Sequence, residues 1–137
     1  GAQLVDLDRL LAEADFVSLH VPLTPATRGL LGAAQLARMK TSAVLVNTSR
    51  GEVVDEAALA AALEAGRLRG AALDVREREP PSVGRLERLP NVILTPHVGA
   101  FTDEAQRRVV DSVCRDVRAV LGGGAAQEFV NFAAPRK

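Results

Sequence analysis

The sequence predicts an α/β domain built on a parallel sheet flanked by helices. Two observations carry that reading. Short apolar runs rich in β-branched residues alternate with helix-period segments along the whole chain. The links between them are short, which implies right-handed crossovers between parallel strands. At 137 residues the chain suits one compact domain.

The elements follow in order. Residues 8–14 place Leu7, Leu10, Leu11 and Ala14 at helical spacing. Residues 16–21 are short and apolar, are stopped by Pro22, and read as a buried strand. Thr24-Pro25 marks a turn, and a short helix is expected over 33–39 with Leu36 and Met39 inward. Residues 43–47 form the next strand, β-branched as a strand covered on both faces should be. Asp55 is a plausible N-cap for a helix over 56–65, and Gly66 supplies its stop. Residues 70–75 give a third strand and 92–95 a fourth, separated by a polar, proline-containing stretch. Thr102 then caps a long helix with Asp103 and Glu104 in its first turn, where they favour its dipole. That helix is expected to bury Val109, Val113, Val117 and Val120 and to stop at Gly122-Gly123-Gly124. The tail beyond, with Phe129-Val130-Asn131-Phe132, is apolar enough to dock.

Composition narrows the function. Seventeen basic and seventeen acidic residues cancel, and there is no Trp or Tyr. Nucleic-acid binding usually needs a basic footprint and stacking surfaces, so no nucleic-acid partner is expected. No apolar run approaches membrane-spanning length, so no membrane partner is expected either. Gly1-Ala2-Gln3 does not open a secretory signal, and a cytoplasmic location is expected. The single cysteine, Cys114, fits a reducing compartment and reads as a buried apolar residue of the long helix. Both histidines lie beside prolines without metal-ligand spacing, so no metal site is expected.

In open parallel sheets ligands bind beyond the carboxyl ends of the strands. The first strand runs out at His20-Val21-Pro22, the second into Asn47-Thr48-Ser49-Arg50-Gly51. The third ends near Asp74, with Glu79 shortly after, and the fourth at Pro96-His97-Val98-Gly99-Ala100. An arginine, two carboxylates and a histidine thus converge on one rim by topology. Arg50 in a turn is ordinarily a solvated side chain, but it offers a planar, permanently charged fork for a carboxylate. His97 could serve one structural hydrogen bond, or trade a proton with a substrate oxygen. Glu79 sits in a charged run and could be a solvated face; beside His97 it would stabilise the imidazolium. Asp74 ends an apolar strand, an expensive place for a carboxylate without a partner, and function is favoured there.

These runs carry a resemblance. Residues 20–27 (HVPLTPAT), 46–55 (VNTSRGEVVD), 71–75 (AALDV) closing with Glu79-Pro80, and 91–100 (NVILTPHVGA) are similar to the D-isomer-specific 2-hydroxyacid dehydrogenases. The likeness runs from about Val5 to the long helix. It implies a partial Rossmann-like sheet, NAD as cofactor with NADP not excluded, a small 2-hydroxy or 2-oxo acid as substrate, and a homodimer in the full-length form. It further implies that Arg50 binds the substrate carboxylate and carbonyl, that His97 is the acid–base group, and that Glu79 orients it. Asp74 would contact the nicotinamide carboxamide; Thr48, Ser49, Arg50, His97, Gly99 and Ala100 would approach the nicotinamide end. Val21 and Pro22 would line another part of the cofactor cleft. The implied division is 1–121 as the C-terminal portion of the NAD(P)-binding domain and 122–137 as a tail returning to a separate substrate domain.

There are departures. Arg76 stands where the family usually has an aromatic residue, so packing beneath the site should differ. The first strands and the Gly-x-Gly-x-x-Gly turn that cradles pyrophosphate are not found in this stretch. Residues 16–21 should then form a sheet edge, and the isolated chain should bind NAD weakly or not at all and self-associate or aggregate. An enzyme fragment is the leading reading. A non-catalytic, co-repressor-like module of the same fold and an inactive remnant are the alternatives.

Overall fold

A computed structural model describes residues 1–128; residues 129–137 of the expected tail 122–137 lie outside them. The chain divides into two compact units, Gly1–Val98 and Gly99–Lys137.

The first unit alternates helices and strands: α1 (Leu7–Glu13), β1 (Phe16–Leu19), α2 (Ala33–Leu36), β2 (Val44–Asn47), α3 (Glu56–Glu64), β3 (Gly70–Leu73) and β4 (Val92–Leu94). Two 3₁₀ turns, Gly51–Val53 and Leu86–Arg88, interrupt the connections. The strands form one sheet in the order β1-β2-β3-β4, every pair parallel. Leu19, Asn47, Leu73 and Leu94 lie in one cross-strand row, so the strands end nearly level. That alignment makes a common rim.

One face of the sheet is the core face. Val17, Leu19, Leu45, Ala71 and Leu73 point there with Leu11, Leu31, Leu36, Leu59 and Leu68, all buried. Each such leucine contributes about 2 kcal/mol by removal from water. The opposite face differs from the expected covering: Phe16 is 71% exposed and Ile93 66%. Successive strand side chains point to opposite faces, so β1 alternates exposed and buried residues and is not buried throughout.

Local signals fix the helix ends. Helix α1 starts one residue earlier than expected, at Leu7, and Asp6 caps it by accepting the Arg9 N–H at 2.8 Å. Asp55 caps α3 through the Ala58 N–H at 2.9 Å. At the other end Gly66 turns into the left-handed region with φ 65°, and Arg67 N–H returns to the Ala62 carbonyl.

The second unit is α4 (Asp103–Leu121), capped by the Thr102 hydroxyl, which accepts the Ala105 N–H at 3.1 Å. The expected burial of Val109, Val113, Val117 and Val120 is corrected: they are 41–58% exposed, and Cys114 is exposed too. An amphipathic stripe is buried only where an apposing surface exists, and the described residues of α4 include no buried one. Gly122 ends the helix as expected, followed by Gly123 at φ 79°.

Candidate active site

Beyond β2 the chain is organised by Asn47, a polar side chain only 1% exposed. Its amide N–H donates to the Arg50 carbonyl at 2.9 Å. Its oxygen accepts from the Ser49 N–H at 3.0 Å and the Ser49 hydroxyl at 2.9 Å. The turn 48–50 is therefore wound around one buried amide. It delivers Arg50 at the entry of the 3₁₀ turn, exposed, with its Nη1 donating to the Ser49 carbonyl at 2.6 Å. Gly51 follows and packs directly on the Arg76–Glu77 backbone, where a Cβ would lie 2.0 Å from the Arg76 carbonyl oxygen.

Beyond β3, Asp74 is 7% exposed and accepts hydrogen bonds from the Thr95 hydroxyl and, at 2.9 Å, from the Val98 N–H. These bonds answer the desolvation that a strand-end carboxylate incurs. Two residues on, Arg76 turns inward between two carboxylates. Its Nε and Nη2 donate to Glu56 of α3 at 3.0 Å each, and its Nη1 donates to Glu87. The Arg76 backbone N–H donates to Glu79 Oε1 at 3.0 Å.

Beyond β4, His97 adopts φ 55°, a left-handed conformation uncommon outside glycine. Such strain persists only where surrounding contacts impose it, and it clusters at functional sites. His97 Nδ1 lies 2.8 Å from Glu79 Oε2. The hydrogen bond from His97 and the Arg76 N–H hold the Glu79 carboxyl below its ordinary range.

These three strand ends meet in one cavity of about 200 Å³, lined by Arg50, Gly51, Glu52, Val75, Arg76, Glu77, Glu79 and His97. The two arginines on its wall differ in kind. Arg76 is neutralised by two carboxylates, whereas among the described residues no carboxylate pairs with Arg50. A second cavity of about 250 Å³ shares Arg76, Glu79 and His97 and is otherwise lined by Asp74, Thr95 and three prolines. The Glu79–His97 pair thus stands between two hollows.

The remaining expected positions fall as follows. Val21 is half-buried against the core and Pro22 is exposed, its carbonyl accepting the Thr27 hydroxyl at 2.6 Å. Thr48 is exposed and Ser49 half-buried on the β2 turn. Gly99 and Ala100 open the second unit, where the Ala100 carbonyl accepts from Gln106. Asn47, Gly51 and Arg76 were given no role from sequence. For Asn47 a signal existed: an amide directly after four apolar residues of a strand has to find partners when buried.

A parallel sheet with polar groups gathered beyond its carboxyl ends is the architecture of α/β domains that bind nucleotide cofactors. The chain belongs to one such family: residues 1–99 match the model of the D-isomer specific 2-hydroxyacid dehydrogenase NAD-binding domain. It is 50% identical over 132 residues to a D-3-phosphoglycerate dehydrogenase of Synechocystis, which covers 96% of this chain and 24% of the relative. Among solved structures it resembles D-lactate dehydrogenase with NAD+ from Lactobacillus jensenii, at TM-score 0.82 and 38% identity, covering 93% of this chain and 43% of that one. It also resembles a D-isomer specific 2-hydroxyacid dehydrogenase from Xanthobacter autotrophicus in complex with NADPH and MES, at TM-score 0.81 and 38% identity, covering 91% and 51%. The chain spans about a quarter of the length of the Synechocystis relative.

Proposed function

We propose that this chain supplies the proton-transferring, nicotinamide-facing portion of an oxidoreductase that interconverts a small 2-oxo acid and its D-2-hydroxy acid. The supporting observation is the cavity whose wall holds Arg50, Glu79 and His97 together. When bound, NAD, or NADP, supplies or accepts the hydride. Arg50 receives the substrate carboxylate and carbonyl oxygen on its charged fork, orienting the carbonyl carbon. His97 gives a proton to the carbonyl oxygen during reduction and takes the hydroxyl proton back during oxidation. Glu79, on Nδ1, fixes the ring so that Nε2 is the atom that moves the proton, and it stabilises the imidazolium.

The donor and acceptor set fits the nicotinamide end of the cofactor. The Asp74 carboxylate lies at the rim, where it suits a carboxamide N–H, and the 48–50 turn and His97 adjoin it in sequence order along the strand ends. Val21 and Pro22 line the cleft further along, and Gly99 and Ala100 continue the His97 turn. The pyrophosphate end is not served by this stretch, which holds no Gly-x-Gly-x-x-Gly turn. Residues 1–121 form the cofactor-domain portion in this reading and 122–137 a tail toward a substrate domain. The full-length form is a homodimer in the cytoplasm, a compartment that the lone cysteine suits, with no nucleic-acid or membrane partner.

The test is turnover of NADH with a panel of 2-oxo acids by the full-length protein. His97→Ala should lower kcat by about 10²–10⁴, and Arg50→Ala should act mainly on substrate engagement. Full turnover by both variants would refute the assignment.

A further inference from the structure

We propose that Arg76 is a positioning residue for the Glu79–His97 pair. The inference rests on the acid–base reading of that pair and adds to it the group that sets its geometry.

The pair cannot hold itself in place. The His97 and Glu79 side chains are 48% and 39% exposed, and a hydrogen-bonded pair so open to water contributes little to its own alignment. Glu79 sits on a segment outside any helix or strand. Arg76, three residues earlier, has a side chain only 10% exposed and spends its guanidinium on two anchors. Glu56 takes Nε and Nη2 in a two-point bond and also accepts the Glu77 N–H. Glu87 takes Nη1 and also accepts the Gly84 N–H at 2.8 Å. The segment is thus braced at 76, 77 and 84 against the first turn of α3 and the second 3₁₀ turn. From that fixed backbone the Arg76 N–H holds Glu79 Oε1, which leaves Oε2 on His97 Nδ1.

Only a planar fork does this. A lysine ammonium lacks the geometry to bond Glu56 at two points while reaching Glu87. An alanine leaves two partly buried carboxylates facing each other without their cation, and the loop that carries Glu79 should part from α3.

The pairing has a signature in the histidine ring. A carboxylate accepting from Nδ1 favours the Nδ1–H tautomer of neutral imidazole, and ¹⁵N spectra of the ring read the tautomer directly. The chain has two histidines, and a His20→Asn variant assigns His97. In the intact chain the Nδ1–H form of His97 should dominate. In Arg76→Ala that dominance should be lost, as it is in Glu79→Ala, and Arg76→Lys should recover it only in part. Where Arg76→Ala fails to fold, as circular dichroism reports, the lysine variant carries the test alone.

In the full-length protein, kcat in Arg76→Ala should fall roughly 10- to 100-fold, the scale of a misplaced catalytic group, with KM nearly unchanged. In a Glu79→Ala background the same substitution should have no further effect on kcat. If Glu79→Ala alters the tautomer while a folded Arg76→Ala, or Arg76→Lys where alanine fails to fold, does not, the role of Arg76 is overturned and the pair stands. Additive losses in kcat would likewise reduce Arg76 to a structural role. If Glu79→Ala leaves tautomer and kcat alone, the acid–base reading fails first.

Discussion

Gly51 lies so close to Arg76 that a Cβ on it would stand 1.9 Å from the Arg76 carbonyl carbon and 2.3 Å from the Glu77 nitrogen. The loops after β2 and β3 touch backbone to backbone there, and this contact brings Arg50 and the Glu79 segment to one cavity. Backbone cannot swing aside as a flexible side chain can. Gly51→Ala should therefore cost about 1–3 kcal/mol through forced displacement, read from urea unfolding. A change within about 0.5 kcal/mol, as for an ordinary surface substitution, would mean that the loops separate freely.

Asn47 presents the matching case from within the β2 turn. Asn47→Ala removes one donor and one acceptor, leaving the Ser49 N–H and the Arg50 carbonyl to find new partners. With the amide 1% exposed, about 2 kcal/mol of stability should be lost. Asn47→Asp keeps the acceptor for Ser49 but sets an oxygen against the Arg50 carbonyl and buries a charge. It should be the worse variant near neutrality and should recover stability as acid protonates it. Denaturant unfolding of both at two pH values decides this.

The fold was legible because each element carried its own punctuation. Asp55 before an alanine-rich run, Gly66 after it and Thr102 before Asp103-Glu104 all act as read, since caps depend on residues three positions away. What failed depended on partners that local pattern does not encode. The valine stripe of α4 is helical as expected, yet exposed, because periodicity says which side is apolar and not what meets it. Phe16 repeats the point on the outer face of β1. At the candidate site, the strand-end rule located Arg50, Asp74, Glu79 and His97 from topology. It could not find the clamp on Arg76, because Glu56 and Glu87 are 20 and 11 residues away in sequence and look like ordinary surface charges.

The Glu79 carboxyl is held below its ordinary value of 4.5 by the His97 hydrogen bond and then by the Arg76 N–H. A depressed carboxylate contributes stability that is present above the unfolded value and lost as pH falls through the folded one. Comparing the intact chain with Glu79→Gln from about pH 6 down to pH 2 should thus show a gap that closes below 4.5. Exposure to solvent keeps that gap under about 1 kcal/mol. A gap that widened as pH fell below 4.5 would contradict the pairing seen at 2.8 Å.

Among the described residues β1 stands at one end of the strand order and pairs with β2 alone. Its outward backbone groups and the exposed Phe16 ring form a short apolar edge, the kind that recruits strands from other copies. The 137-residue chain should therefore self-associate in a concentration-dependent way. Phe16→Lys should weaken this, because a charge on an edge strand must be desolvated for a second strand to pair across it. The ring is 71% exposed, so the substitution removes little core packing and stability should change by less than about 0.5 kcal/mol. Light scattering across a dilution series separates the outcomes. If the lysine variant associates as strongly as the parent, the contact lies elsewhere, with the exposed valines of α4 next in line for substitution.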